Sequence, residues 1–503
     1  MSNLDLQDKI KSVKARIEKL IQDGHFEAAM SVIEQYEERM PGDLDICSMR
    51  AVIHILEGDA DKAEEVLLDG LKNDSVHFDL LYNLAYIYEQ KGQLQKAMEL
   101  YCKADTVADA PQKANIGEAV ARLKLADSSI EPVEKDRIVF FCRPGLDNFL
   151  GDIIQGLSED YFVRKMIVSD FSQIDKGMEW ADVCWFEWCD ELVVYGSRSP
   201  LAMQKKIICR LHSYEAFSGY TREVEWANAD KVIFVAEHIR QYVLSENEDL
   251  DIARTIVIPN GIDTDKFTFR KRDKGFKIAY VGYINYKKGP MLLLHTFKAI
   301  HDRDSRYKLY IAGKYQDPRY ELYFNQMTEE MGLKGDVIFD GWQDDINKWL
   351  EDKNFILCTS VLESQNLSVM QAMSKGIRPV VHNFVGARSI YPDRYVWNTI
   401  DEAVKMVVSD GYDSEEYHNF VRDNYSLHRQ LRNIRSAIDE LLSYKKIVRK
   451  INKAISGEIK PDELPCDDVT VLTPCYNRAR TLKEDLDKGL KLGSRPKIIV
   501  DDC

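Results

Sequence analysis

Glu363, Lys288 and His212 are the side chains of this sequence whose types and surroundings can do chemistry together. Glu363 follows the apolar run 354–360 (NFILCTS), and a helix is predicted to open near Asn366 and to run through Leu367, Ser368 and Gln371 to a stop at Gly376. A helix start carries unpaired N–H groups and the positive end of the helix dipole, so Asn366 to Ser368 offer a site for an anion such as a diphosphate. Lys288, in a loop shortly after Gly282, adds a full positive charge. Glu363 can accept hydrogen bonds from hydroxyls, and the Gln371 amide both donates and accepts. His212 closes the run 205–213 (KKIICRLHS), and Gly145 lies in Arg143-Pro144-Gly145-Leu146-Asp147 after the run 137–143. Imidazole is the side chain that changes charge near neutral pH. Each residue also has a plain reading: a solvated loop lysine, a carboxylate before a helix dipole, a structural histidine.

Such residues act together only if the chain folds them to one place. From Asp136 onward the sequence alternates short apolar runs with helical stretches: RIVFFCR, FVRKMIVSD, ADVCWFEW, KKIICRLHS and DKVIFVAEHIRQYVL, and after Phe267 FKIAYVGYI, YKLYIAGKY, DVIFDGW, NFILCTS and IRPVVHNFVGA. Runs of this kind are strands of parallel sheets joined by helical crossovers. Two doubly wound domains in tandem are expected, 135–262 and 263–445. Ligands of such sheets lie off the carboxyl ends of the strands, so the pair would face a shared cleft.

Before them stands a repeat. Gly24, Gly58 and Gly92 recur at 34-residue intervals, each followed five residues later by alanine: Ala29, Ala63, Ala97. The third unit adds Leu84, Ala85, Tyr88, Tyr101 and Ala104, the apolar positions of two packed antiparallel helices. The pattern resembles a tetratricopeptide array over 1–128, an all-α solenoid whose concave face implies a protein partner or self-association.

Composition agrees with several folded domains. The chain has 503 residues, 45% of them hydrophobic, and 83 acidic against 68 basic side chains give a formal charge of -15. That balance argues against nucleic acid as a partner. No stretch is long and apolar enough to span a bilayer, so cytoplasmic placement, at most peripheral to a membrane, is expected. Ten cysteines in so long a chain fit reduced core thiols better than a disulfide framework or a metal site.

Three motifs in order carry a resemblance to family 4 glycosyltransferases of the GT-B fold. They are Val257-Ile258-Pro259-Asn260-Gly261-Ile262-Asp263 at the join of the two sheets, Gly282-Tyr283-Ile284 with Lys288-Gly289, and the segment from Thr359 to Met373. The resemblance implies transfer of a sugar from a nucleotide-sugar donor to a glycan, lipid-linked or protein acceptor, with retention of configuration and without a metal or other cofactor. It implies catalytic Glu363, His212 and Lys288, donor contacts by Gly282, Lys288, Glu363, Asn366, Leu367, Ser368 and Gln371, and acceptor-side Gly145 and His212. Three departures stand out. The family's arginine is Tyr283, its second glutamate is Gln371, and its Gly-Phe-Gly is Ser364-Gln365-Asn366. Lys287, Lys314 or Arg388 are the cations expected to stand in for the arginine. Two rival readings accompany this one: a degenerate transferase serving as an assembly scaffold, and a protein O-glycosyltransferase whose repeats hold the acceptor protein.

Residues 446–466 read as a charged helix and a Pro-containing linker. Thr473-Pro474-Cys475-Tyr476-Asn477 with Asp501-Asp502 resembles the opening of a family 2, GT-A glycosyltransferase, so 467–503 is expected to be an incomplete domain of that type.

Overall fold

The computed structural model describes residues 3–147 and 150–455, with side chains over 9–147 and 150–443. The chain forms two compact units, Met1–Arg435 and Ser436–Cys503. The GT-A-like segment lies outside the described residues.

Seven helices build the solenoid: Asn3–Gln22, Phe26–Glu37, Leu44–Leu56, Ala60–Asn73, Phe78–Gln90, Leu94–Asp105 and Ala110–Ala126. Gly24, Gly58 and Gly92 sit in the turns between paired helices at φ +75, +83 and +72, which explains their spacing. Ala29, Ala63 and Ala97 are fully buried, small enough to let the helix axes close. The first repeat builds an apolar cluster around Ile33, and a second cluster around Leu67 joins the second repeat to Leu80, Leu84 and Ile87 of the third. The third does not stop at its own edge. One continuous core runs from Leu81, Tyr101 and Leu123 through Ile130 into Val139, Phe141 and Trp180 of the first sheet domain. Polar ties cross the same seam: Ser75 Oγ donates to Val163 O at 2.6 Å and Trp180 Nε1 to Thr106 Oγ1 at 3.1 Å.

The first sheet has six parallel strands, β1 (Arg137–Cys142), β2 (Phe162–Ile167), β3 (Val183–Glu187), β4 (Lys206–Leu211), β5 (Lys231–Phe234) and β6 (Thr255–Val257), in the order β2-β1-β3-β4-β5-β6. The second comprises β7 (Lys277–Val281), β8 (Lys308–Ala312), β9 (Val337–Gly341), β10 (Phe355–Cys358), β11 (Arg378–His382) and β12 (Val396–Trp397), ordered β12-β11-β10-β7-β8-β9. Ten of these strands coincide with the apolar runs. The three-residue β6 and two-residue β12 carry too little pattern to announce themselves. The order reverses between β1 and β3 in one sheet and between β7 and β10 in the other, and crevices open at such switch points.

After β12 and the helix Ile400–Val408, two more helices follow, Ser414–Tyr425 and Leu427–Ile455. The second continues through Arg435, whose guanidinium donates to Asp160 Oδ2 at 2.6 Å and Gly156 O at 2.6 Å of the first domain. It also extends to Ile455, so the stretch from 446 starts as helix. Among the described residues no helix is long and apolar enough to cross a membrane.

Candidate functional site

The switch point of the second sheet brings Gly282, Lys288 and Glu363 together. Glu363, past β10, is 6% exposed, and its Oε1 meets Lys288 Nζ at 2.5 Å and the Ser360 hydroxyl at 2.8 Å. Lys287 Nζ lies 3.6 Å from Oε2. Burial pushes this carboxyl up, but the charges of Lys288 and Lys287 and the hydrogen bonds of Lys288 and Ser360 outweigh it and hold the group below the usual glutamate range.

Local sequence fixes Lys288. Asn285 caps the single 3-10 turn Tyr286–Lys288 by accepting from Lys288 N at 3.1 Å. Gly289 ends that turn at φ +62, where a Cβ would come within 2.2 Å of Thr359 O. The loop after β7 is thereby laid against the loop after β10: Thr359 Oγ1 donates to Lys288 O at 2.9 Å and Val361 N to Lys287 O at 2.9 Å. Tyr283, in the arginine's place, is 41% exposed and pairs its ring with Trp342 at 5.2 Å. Of the cations expected to replace the arginine, Lys287 is beside Glu363. Arg388 pairs with Asp393 instead, and Lys314 is exposed beyond β8.

The loop after β10 is pinned by the side chains of its altered motif. Ser364 Oγ accepts from Ser213 N at 3.0 Å, and the Glu363 carbonyl accepts from His238 Nε2 at 2.8 Å. Gln365 makes a two-fold amide pair with the interdomain turn, accepting from Asn260 N and donating to Asn260 O, both at 2.8 Å. Asn366, at φ +61, caps the helix Leu367–Ser374 through Val369 N. Ser364, Gln365 and His238 thus tie the loop to the first domain and its linker. The remaining residues expected to contact the donor are placed differently. Ser368 is half-buried in the first helical turn, while Leu367 and Gln371 line a cavity of about 230 Å³ with Arg210, Asn260, Asp152 and Asp344. Neither Glu363, Lys288 nor His212 lines that cavity.

His212, past the end of β4, is buried and donates from Nε2 to Glu187 Oε1 at 2.8 Å. Glu187 is fully buried at the end of β3, in register with Arg210 on β4. It also accepts from Arg210 Nη1 at 3.0 Å and from Trp185 Nε1 at 2.8 Å. Burial raises its pKa, but Arg210 and His212 outweigh that and leave it depressed. Arg210 reaches on to Asn260 Oδ1, completing a polar chain from His212 to the donor loop. The indole of Trp188 packs on the His212 ring at 4.4 Å, and its Nε1 donates to Leu146 O at 3.0 Å. Gly145, expected on the acceptor side, stands at φ +78 in that loop and is exposed.

Sequence reasoning passed over Glu187, Trp188 and Gln365. A charged residue closing the apolar run VCWFE, opposite the arginine of KIICRL, is the signal that would have flagged Glu187. Among the described residues the one group of three possible metal ligands is Asp45, His77 and Asp79, in the helical repeats.

This frame of two facing parallel sheets is the GT-B fold, and residues 261–420 match the family described as glycosyl transferases group 1. Residues 78–110 match a tetratricopeptide repeat. Among individual proteins, the chain is 22% identical over 329 residues to the Escherichia coli UDP-Gal:alpha-D-GlcNAc-diphosphoundecaprenol alpha-1,3-galactosyltransferase, covering 58% of this chain and 84% of the relative. It is 27% identical over 213 residues to the Xanthomonas campestris GDP-mannose:cellobiosyl-diphosphopolyprenol alpha-mannosyltransferase, covering 40% of this chain and 56% of that protein's length. The crystal structure of Anabaena HepE in complex with UDP and glucose superposes with a TM-score of 0.52 at 15% identity, over 61% of this chain and all of the other, which speaks for the fold.

Proposed function

We propose that this chain transfers a sugar from a nucleotide-sugar donor to a lipid-linked or glycan acceptor, with retention of configuration and without a metal requirement. The observation that carries the reading is the convergence of Lys288 and Lys287 on buried Glu363 at the second sheet's switch point. In transfer, the departing nucleoside diphosphate gains negative charge while the sugar gains oxocarbenium character. A diphosphate entering the crevice competes with Glu363 for the two ammonium groups, and as they turn to it the carboxylate is released to accept sugar hydroxyls. Both cations are already held in place, so little reorganisation is required at the moment of reaction. Gln371, in the neighbouring cavity, offers an amide to the ribose hydroxyls. Lipid-linked acceptors are favoured because both relatives are named for transfer to sugars on a diphospho-lipid.

Calorimetric titration with UDP, GDP and ADP tests the reading. One diphosphate should bind specifically, and Lys288→Ala should weaken it by about tenfold or more. Absence of binding by all three at millimolar concentration would reject donor use and assign the two-sheet unit to assembly.

A further inference from the structure

The helical repeats carry a side-chain cluster that the transferase reading does not use. Helices Leu44–Leu56 and Phe78–Gln90 open consecutive repeats, and their starts match at the 34-residue period of the glycines, Asp43 with His77 and Asp45 with Asp79. In the second repeat the first of these positions is fully employed. Asp43 caps its helix through Asp45 N and Ile46 N, accepts from the Tyr36 hydroxyl at 2.7 Å and takes Lys14 Nζ at 2.8 Å. In the third repeat His77 holds the cap position, but its side chain makes no bond to the helix. The ring turns back toward the second repeat instead: Nε2 lies 3.3 Å from Asp45 Oδ1, and Nδ1 is buried without a hydrogen-bond partner. Asp79 brings a carboxylate oxygen to the same place, so that one donor atom each from Asp45, His77 and Asp79 lies within 4.8 Å of the others.

We propose that Asp45, His77 and Asp79 bind a divalent transition cation of the zinc class and thereby join the second repeat to the third. The inference goes beyond the transferase reading and does not depend on it. One imidazole with two carboxylates is the mixed nitrogen and oxygen set that such ions take, whereas calcium and magnesium favour oxygen alone. A tetrahedral zinc about 2.0–2.2 Å from each ligand holds its donors ~3.4 Å apart, so no pair here has to close by more than ~1.4 Å. Asp45 and His77 already stand at that spacing, and Asp79 is exposed and can swing to it. Lys14 Nζ, 2.6 Å from the other oxygen of Asp45, opposes a cation, but Asp43 gives the lysine a seat to keep once the ion takes Asp45. Both helix starts add partial positive charge, which the two carboxylates outweigh. Three protein ligands leave a position for water, unlike the closed four-ligand sites of zinc fingers, so the ion exchanges with solvent. Its binding stabilises the folded array by mass action.

Calorimetric titration of the full chain with zinc chloride, repeated with cobalt chloride under visible absorption, tests this beside His77→Gln and Asp79→Asn. His77 is half-buried, Asp79 is exposed, and both replacements keep side-chain size, so the variants are expected to fold. The wild-type chain should take up one ion and melt higher in zinc, and its cobalt form should show d–d bands without thiolate charge-transfer absorption. Each variant should bind about tenfold or more weakly. Zinc that binds the wild-type chain and both variants alike, or cobalt that shows the thiolate band, would assign the ion to the cysteines and overturn the site. Absence of zinc and cobalt binding at millimolar concentration would overturn it as well.

Discussion

Removing Lys288 puts the electrostatics of the candidate site to a direct measurement. Lys288 Nζ is 2.5 Å from the Glu363 carboxylate and Lys287 Nζ is 3.6 Å away, so by the inverse-distance law the second retains about seven-tenths of the attraction of the first. Breaking one side of a buried pair costs ~3–5 kcal/mol when nothing else compensates. With Lys287 and the Ser360 hydroxyl still in place, Lys288→Ala should cost ~2 kcal/mol, a fall of roughly 4–8 °C in melting temperature. The pH dependence has a definite sign. The Glu363 carboxyl is depressed in the folded chain, so its stabilisation is complete above the ordinary glutamate pKa of about 4.3 and disappears as pH falls through the lowered value. The Lys288→Ala deficit should therefore be full at pH 7 and shrink below about pH 4. Melting curves across that range measure it, beside Lys288→Met combined with Glu363→Gln, which removes both charges and should recover most of the loss. A deficit below about 0.5 kcal/mol at pH 7, or one that persists unchanged in acid, would refute the claim that Glu363 is a buried carboxylate held by Lys288.

Two further outcomes follow from groups near the cleft. Asp190 caps the helix Glu191–Arg198 through Leu192 N, yet its Oδ2 is buried without a hydrogen-bond partner, and burial pushes its pKa up to about 7. The folded chain then binds an extra proton between about pH 4 and 7, stability falls as pH rises through that window, and Asp190→Asn should abolish the slope and melt higher at pH 8 by ~1–3 kcal/mol equivalent; parallel pH profiles of the two proteins would exclude this. Gln365→Leu strips both hydrogen bonds from the Asn260 backbone, so amide exchange around 260 and 363–366 should accelerate and stability fall by ~2 kcal/mol; unchanged exchange would show that the two-fold amide pair does not hold the donor loop.

Much of this organisation was legible because it is periodic. Glycines in tight turns and alternating strand–helix segments report local geometry, and both the solenoid and ten of the twelve strands followed from them. Glu363 and Lys288 were legible too, as chemistry placed after strand-like runs. The missing parts depend on register, which a sequence does not print. Glu187 and Arg210 are 23 residues apart and become neighbours only when β3 and β4 align, and that alignment also gives His212 its carboxylate partner. Gln365 shows only as a departure from the family's motif, because its partner, Asn260, is 105 residues away. Trp188 reads as one more apolar residue until its packing on His212 is known.

The core that passes unbroken from the third repeat into the first sheet sets how this architecture can vary. The inner repeat supplies part of the sheet domain's own interior, so its length, pitch and side chains are tied to those of β1 and the helix Ser172–Trp180. The outermost helices, packed in a cluster of their own, carry no such obligation. Repeats can therefore be gained, lost or redecorated from the distal end while the proximal one stays fixed. A load placed on the array would be carried directly into the first sheet domain, with no joint between them to absorb the movement.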